Sequence, residues 1–313
     1  MLGLLGGARR VLDGTLGGGG HALALLENGA HVIALDRDSD ALASARRRLH
    51  EFEHSGRFVA EHGNFAETAV LIGLAGATFD GILLDLGVSS HQIDDEDRGF
   101  SFREGAPLDM RMDRDHPDEG SAVTAAAILN SADEWELTRI FRVYGDEPRA
   151  GRLAREIVRR RETRPFVTSD DLVGAIRAVF GPRSGRPEFA RLFQAVRIAV
   201  NGELEALAQA LPVLRDRLDP GGVLAVIAYH SGEDRLVKRA FQEWSLRCVC
   251  PPKQLVCTCR GRALGALTHR KPISAGADEV GRNPRARSAH LRGWRAGTPS
   301  APVARQHRST EQG

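Results

Sequence analysis

Acidic residues close three apolar runs of this chain: Asp13 ends "RVLD", Asp36 ends "HVIALD" and Asp85 stands near the end of "FDGILLDL". Between the first two lies "DGTLGGGGHALALL" (13–26), with five glycines from Gly14 to Gly20. A glycine-rich turn that leads from a strand into a helix lets a ligand reach backbone N–H groups and the positive end of that helix. Gly17, Gly19 and Ala22 fit the nucleotide-cofactor spacing G-x-G-x-x-A, and Asp36 is placed to hold a pair of ribose hydroxyls. These features suit NAD and S-adenosylmethionine alike. Two details favour the sulfonium cofactor. Asp13 and a longer loop containing Gly14 precede the glycine cluster, which suits an aminoacyl tail better than a pyrophosphate. The third apolar run ends in "GNF", which puts Asn64 and Phe65 where an adenine can be bonded and stacked.

Strands must carry these residues to one edge. "RVLD" (10–13), "HVIALD" (31–36), "RFVAEHGN" (57–64), "FDGILLDL" (79–86) and "GGVLAVIAYH" (221–230) read as buried strands. Helix-sized segments lie between the first four; in "SDALASARRRLHEF" (39–52), Leu42, Ala45 and Leu49 share one face while Arg46, Arg47 and Arg48 can reach solvent. Such alternation implies a parallel, doubly wound α/β sheet. From about Ser121 to Leu218 the pattern is helical throughout, so an all-helical insertion is expected between the fourth and fifth strands, its last helix returning as the crossover. The expected division is a discontinuous sheet domain (1–115 and 205–295), a helical domain for substrate recognition (116–204) and a disordered tail (296–313).

At 313 residues and 42% hydrophobic, the chain can build a real core, and a net charge of +2 gives no global argument for nucleic acid. Local clustering does: seven arginines and no acid lie between Val280 and Thr310, whereas residues 94–119 are crowded with acids. No apolar run approaches the roughly 20 residues that span a bilayer. The start "MLGLLGGARR" lacks the features of a signal peptide, so a soluble cytoplasmic protein is expected. The four cysteines fall in "CVCPPKQLVCTC" (248–259). Paired Cys-x-Cys elements facing each other could hold zinc, but the commoner spacing leaves two residues or more within each pair; free thiols in a tight loop are the plainer reading, and no metal is assigned.

Four segments carry a closer likeness: "DGTLGGGGH", "DLGVSSHQIDDEDRGFSFREGAPLDMRMD" (85–113), "VIAYHSGEDRLVK" and "NPRARSAHLR". In that order they resemble the bacterial 16S rRNA cytosine-N4 methyltransferases of the RsmH/MraW family, over about residues 11–293. "LDPGGVLAVIAYH" is likewise similar to the turn feeding the fifth strand of Rossmann-like methyltransferases. The resemblance implies a class I S-adenosylmethionine-dependent methyltransferase fold. It implies a cofactor site built from Gly19, Gly20, His21, Asp36, Phe65, Asp85 and Gln92, and a substrate cytidine in the decoding region of small-subunit 16S rRNA, with no DNA or membrane partner. Family members also carry a His-x-Pro-Val-Leu element ahead of the first strand, which this sequence does not include; either the start codon is misassigned or part of the substrate or cofactor cover is missing.

Cytosine N4 is a poor nucleophile, because its lone pair is delocalised into the ring. Positioning it, and accepting its proton, are the tasks left to side chains. Asp85 and Asp109 are the candidate acceptors, with Ser89 and Ser90 as orienting hydroxyls. Ser231 and Asp234 fit the S-x-x-D pattern of a helix cap. Arg111, His230, Arg285 and Arg287 are candidate RNA contacts, and the basic run 149–164 is either a solvated helix face or a second one. The competing readings are an NAD-dependent oxidoreductase and an inactive rRNA-binding assembly factor.

Overall fold

Buried residues alternate between the two faces of a central sheet, and helices cover both. The computed structural model describes residues 1–67, 77–114, 123–254 and 256–298, the side chains of Ser90 and His91 excepted. Its strands are β1 (Arg10–Asp13), β2 (His31–Asp36), β3 (Phe58–His62), β4 (Phe79–Asp85), β5 (Leu218–Ala228), β6 (Gly265–Leu267), β7 (Ile273–Ser274) and β8 (His290–Ala296). They lie in the order β3-β2-β1-β4-β5-β8-β6, with β7 also on β8. Strands β1 to β5 run parallel, whereas β8 is antiparallel to β5, β6 and β7. The order reverses between β1 and β4, and a parallel sheet opens its binding crevice at such a reversal.

Val11, Ala34, Leu83 and Ala225 join Ala22, Leu25 and Leu26 of the helix Gly20–Glu27 in one core. On the opposite face, Leu12, Leu84, Leu224 and Val226 pack with the helices Glu203–Asp216 and Ser231–Ser245. The segment 39–52 is broken rather than continuous: a helix runs over Ser39–Arg48, and a short one over His50–His54 follows Leu49. Among its arginines, Arg46 donates to the carbonyl of Ala60.

Strand β8 was not expected, because its arginines hide a buried alternation. Leu291 is buried in the core on one face of the sheet and Trp294 in the core on the other, where Trp294 packs edge-on against Trp244 at 5.3 Å and donates to Ser245 Oγ at 3.2 Å. Ala296, placed in the expected tail, therefore ends a strand; positions 299–313 lie outside the described residues.

The insertion has its own core, from Leu108 through Leu129, Phe141, Ile157 and Ile176 to Val200. Leu108 and Met110, on the sheet side of the expected boundary at 116, are buried in that helical core, and Phe102 lies 5.9 Å from both Phe189 and Phe193. Backbone bonds from Leu108 to Val167 and from Ala126 to Leu108 fix the segment there. The last stretch of the helical pattern, up to Leu218, is split into Arg186–Asn201 and Glu203–Asp216 by Gly202 at φ +59°, a left-handed turn that glycine adopts without the Cβ penalty. No described helix is long and apolar enough to cross a membrane.

Candidate functional site

A cavity of about 540 Å³ opens at the carboxyl ends of β1, β2 and β4. The turn after β1 forms its floor. Gly17 and Gly19 have φ of +51° and +74°, where a side chain would be strained, and a Cβ on Gly14 would meet Leu84 at 2.6 Å. Gly18, by contrast, would meet nothing within 4 Å. Its open side faces the cavity, where a ligand can approach the backbone.

Three carboxylates converge on this floor. Asp13 is fully buried; one oxygen accepts from Thr15 N–H at 3.1 Å, and the other has no hydrogen-bond partner. Burial, offset in part by His21 and Thr15, pushes its carboxyl up to about 7. Asp36 accepts from Gly17 N–H at 2.7 Å and from Asp38 N–H at 2.9 Å, which ties the glycine turn to the end of β2. Desolvation takes its carboxyl to about 6. Asp85 accepts from Tyr229 Oη at 3.0 Å and lies 3.2 Å from His21 Nε2, while its N–H donates to Thr15 Oγ1 at 2.6 Å. The Asp85 hydrogen bond, against opposing burial, raises the His21 imidazole above its ordinary value. Burial and the Asp85 charge raise the Tyr229 phenol.

Gly20, His21, Asp36, Phe65, Asp85 and Gln92 all line the cavity, as does Asn64. Gly19 shapes the turn from outside the wall, where a Cβ would meet Leu49 at 3.1 Å and Ala45 at 3.3 Å. Gln92 is spent on architecture: its Nε2 donates to Asp38 Oδ2 at 2.6 Å and its Oε1 accepts from Ser89 N–H. Asp38 also pairs with buried Arg98 at 2.7 Å, and Arg98 donates on to the Met112 carbonyl. The segment 85–113 is thereby strapped across the end of β2. Asn201 completes the strap, donating to Met110 O and accepting from Met112 N–H.

Asp109 is not brought to the cavity. Arg111 grips both its oxygens, at 3.0 and 2.8 Å; burial works against ionisation there, but these bonds hold the carboxyl below its ordinary value. Arg111 is thus committed as well. Ser89 lines the cavity and accepts from Gln92 N–H, whereas the Ser90 side chain lies outside the described residues.

The helix cap expected from Ser231 and Asp234 is made by other residues. His230 is the N-cap, its Nδ1 accepting from Gly232 and Glu233, while Glu233 Oε2 accepts from the N–H groups of Tyr229 and His230. His230 Nε2 lies 3.1 Å from Glu233 Oε1, in contact without good alignment. The true box is shifted by one residue because strand β5 ends at Ala228, so His230 holds the extended cap conformation. The His230 side chain is accordingly largely covered and occupied as a cap. Ser231 instead donates to Asp146, and Asp234 pairs with Arg292 at 2.7 Å. Of the other arginines, Arg285 pairs with Asp94 at 2.6 Å, and Arg287 is exposed. In the basic run, Arg159 and Arg160 bind Glu156, and Arg155 lies 3.6 Å from Glu134.

Thr15 and Tyr229 line the site although no sequence signal marked them, and Asp13, the acid expected to suit an aminoacyl tail, lies buried behind it; the register Asp13↔Leu83 and Asp85↔Ile227 brings them together. The parallel strands β1 to β5 with an antiparallel β8 beyond β5 define a Rossmann-like class I methyltransferase fold. A family model described as the MraW methylase family matches residues 6–296, and the chain belongs to that family. It is 62% identical over 293 residues to the ribosomal RNA small subunit methyltransferase H of Gemmatimonas aurantiaca, covering 94% of this chain and 91% of that one. The protein of that name from Heliobacterium modesticaldum is 47% identical over 290 residues, covering 90% of each chain.

Proposed function

We propose that this protein transfers a methyl group from S-adenosylmethionine to N4 of one cytidine in the decoding region of 16S rRNA in the small ribosomal subunit. The observation that carries the reading is that Asp36 and Asp85 line one glycine-floored cavity, with Asp13 buried directly behind it and within electrostatic reach of both. A pyrophosphate placed there would face the acids at the strand ends, which argues against NAD; a cationic sulfonium with an α-amino group is favoured by the same field. The relatives' names support small-subunit rRNA as the substrate class.

The cofactor, when bound, supplies an electrophilic methyl carbon. Gly18 and Gly20 offer backbone to it, Asp36 retains lone pairs for ribose hydroxyls, and the Phe65 ring with Asn64 suits an adenine. Asp85, its carboxylate oriented by Tyr229 and His21, accepts a hydrogen from the substrate amine and so localises the nitrogen lone pair. Asp109 orients Arg111 and takes no part in proton transfer. An inactive assembly factor would not need this intact arrangement.

Mass spectrometry of small-subunit rRNA from a deletion strain and its complement tests the reading. Loss of a single N4-methyl mark, restored by this chain, is expected. A mark that persists on deletion, or calorimetry of folded protein showing no heat with S-adenosylhomocysteine, overturns it.

A further inference from the structure

Between the helix Ser231–Ser245 and strand β6 runs a segment with no regular structure and no buried side chain among its described residues from Leu246 to Leu264. Val249 and Val256 are 38% and 72% exposed. Apart from Leu264 at its end, which packs half-buried against the sheet core, hydrophobic burial therefore supplies little to hold this segment in one shape. Its cysteines are nevertheless gathered into one cluster. The four sulfurs lie within 4.8 Å of one another, with Cys248 to Cys257, Cys250 to Cys257 and Cys259 to Cys248 each at 3.8 Å and Cys257 to Cys259 at 3.5 Å.

Those separations have a chemical meaning. Zinc–thiolate bonds of about 2.3 Å in tetrahedral geometry place sulfurs roughly 3.8 Å apart. A disulfide would require about 2.05 Å. Backbone N–H groups also point at the sulfurs, Val249 to Cys259 at 3.3 Å and Thr258 to Cys250, as suits sulfur bearing negative charge. Four thiolates around a divalent ion carry a net charge of 2−. The surroundings answer that charge: Arg247, Lys253, Arg260 and Arg262 lie in the segment, and no acid occurs between Glu243 and Asp278.

We propose that Cys248, Cys250, Cys257 and Cys259 form a closed tetrathiolate site for one structural zinc ion, which fixes the 246–264 segment as a rigid knuckle at the edge of the sheet. Binding releases the thiol protons to solvent, with no redox change. A closed four-sulfur shell leaves no open position for substrate, so the ion shapes the chain and takes no part in methyl transfer.

The test uses the full chain purified under reducing conditions without added metal. Elemental analysis by plasma mass spectrometry should find one zinc per chain, and cobalt replacement should give the intense visible bands of tetrahedral thiolate ligation. Chelation should raise tryptic cleavage at Arg247, Lys253, Arg260 and Arg262 at least tenfold while leaving the heat of S-adenosylhomocysteine binding unchanged. Cys257→Ser should lose the zinc; since that variant could also misfold, the cobalt spectrum of the unaltered chain stands as the independent readout. Iron in place of zinc, absence of stoichiometric metal, two disulfides after alkylation without reductant, or cleavage unaffected by chelation would each overturn the proposal.

Discussion

The cleft at the strand ends and the cysteine knuckle both bring like groups together, three carboxylates in one and four thiols in the other, yet by opposite means. In the cleft, strand register and a packed core fix Asp13, Asp36 and Asp85, and the fold itself offsets the cost of crowding them with N–H groups, His21 and Tyr229. In the knuckle no described side chain is buried, so the cluster itself must create the order. A core can hold groups in unfavourable proximity, ready for a ligand; a coreless loop can hold only groups that bind something in common.

The comparison breaks most visibly where the cleft depends on one buried bond. Arg98→Met leaves Asp38 without its buried cation and releases the strap over β2, so stability should fall by about 3–5 kcal/mol in urea denaturation. A loss under 1 kcal/mol would mean that the strap does not depend on this pair. Next in size, Asp85→Ala should lower single-turnover methylation on the order of 10²- to 10³-fold, as removal of an oriented charge-stabilising group does elsewhere. Asp109→Asn should retain most of the rate, because Arg111 already occupies that carboxylate. Equal losses in the two variants would show that Asp109 reaches the substrate.

A smaller effect separates the cleft from the knuckle by pH. Asp13 has a folded-state pKa raised to about 7 from an ordinary 3.8, so the native state holds its proton where the unfolded chain releases it. That contribution to stability is complete below about pH 4 and is lost as pH rises through 7, with a slope of at most one proton, about 1.4 kcal/mol per pH unit. Asp13→Asn should flatten this decline and leave the variant the more stable of the two at pH 8, as read by thermal melts across pH 4–8. A decline unchanged by the substitution would place its source elsewhere.

The sequence made the cleft legible because its determinants are local. A glycine turn follows an apolar run, acids close the strands, and continuous apolar runs mark β1 to β5; each signal lies within about ten residues. What escaped was set by distant partners. Asp38, Arg98 and Gln92 meet across more than 50 residues, and Tyr229 reaches Asp85 across 144. Strand β8 escaped because its buried residues, Leu291, Gly293 and Trp294, are interleaved with arginines, and the cap at His230 because the S-x-x-D pattern beside it looked sufficient. Cysteine spacing alone pointed away from a metal; only the relative positions of the two Cys-x-Cys pairs in space point toward one.

The smallest expected effect concerns Arg285 and Arg287 of "NPRARSAHLR", which sequence could not tell apart. Arg287 is exposed and, among the described residues, in no ion pair, whereas Arg285 is already paired with Asp94. An exposed pair is worth about 1 kcal/mol or less, but an arginine must still give it up before it can neutralise an RNA phosphate. Arg287→Ala should therefore weaken rRNA binding about threefold and reduce the slope of log affinity against log salt by roughly 0.7, the value for one contact to a single strand. Arg285→Ala should do less, and Asp94→Ala should strengthen binding by freeing Arg285. If filter binding across a salt series shows the two arginine variants losing equally while Asp94→Ala has no effect, the pair with Asp94 does not restrain Arg285 in solution, and both arginines serve the RNA alike.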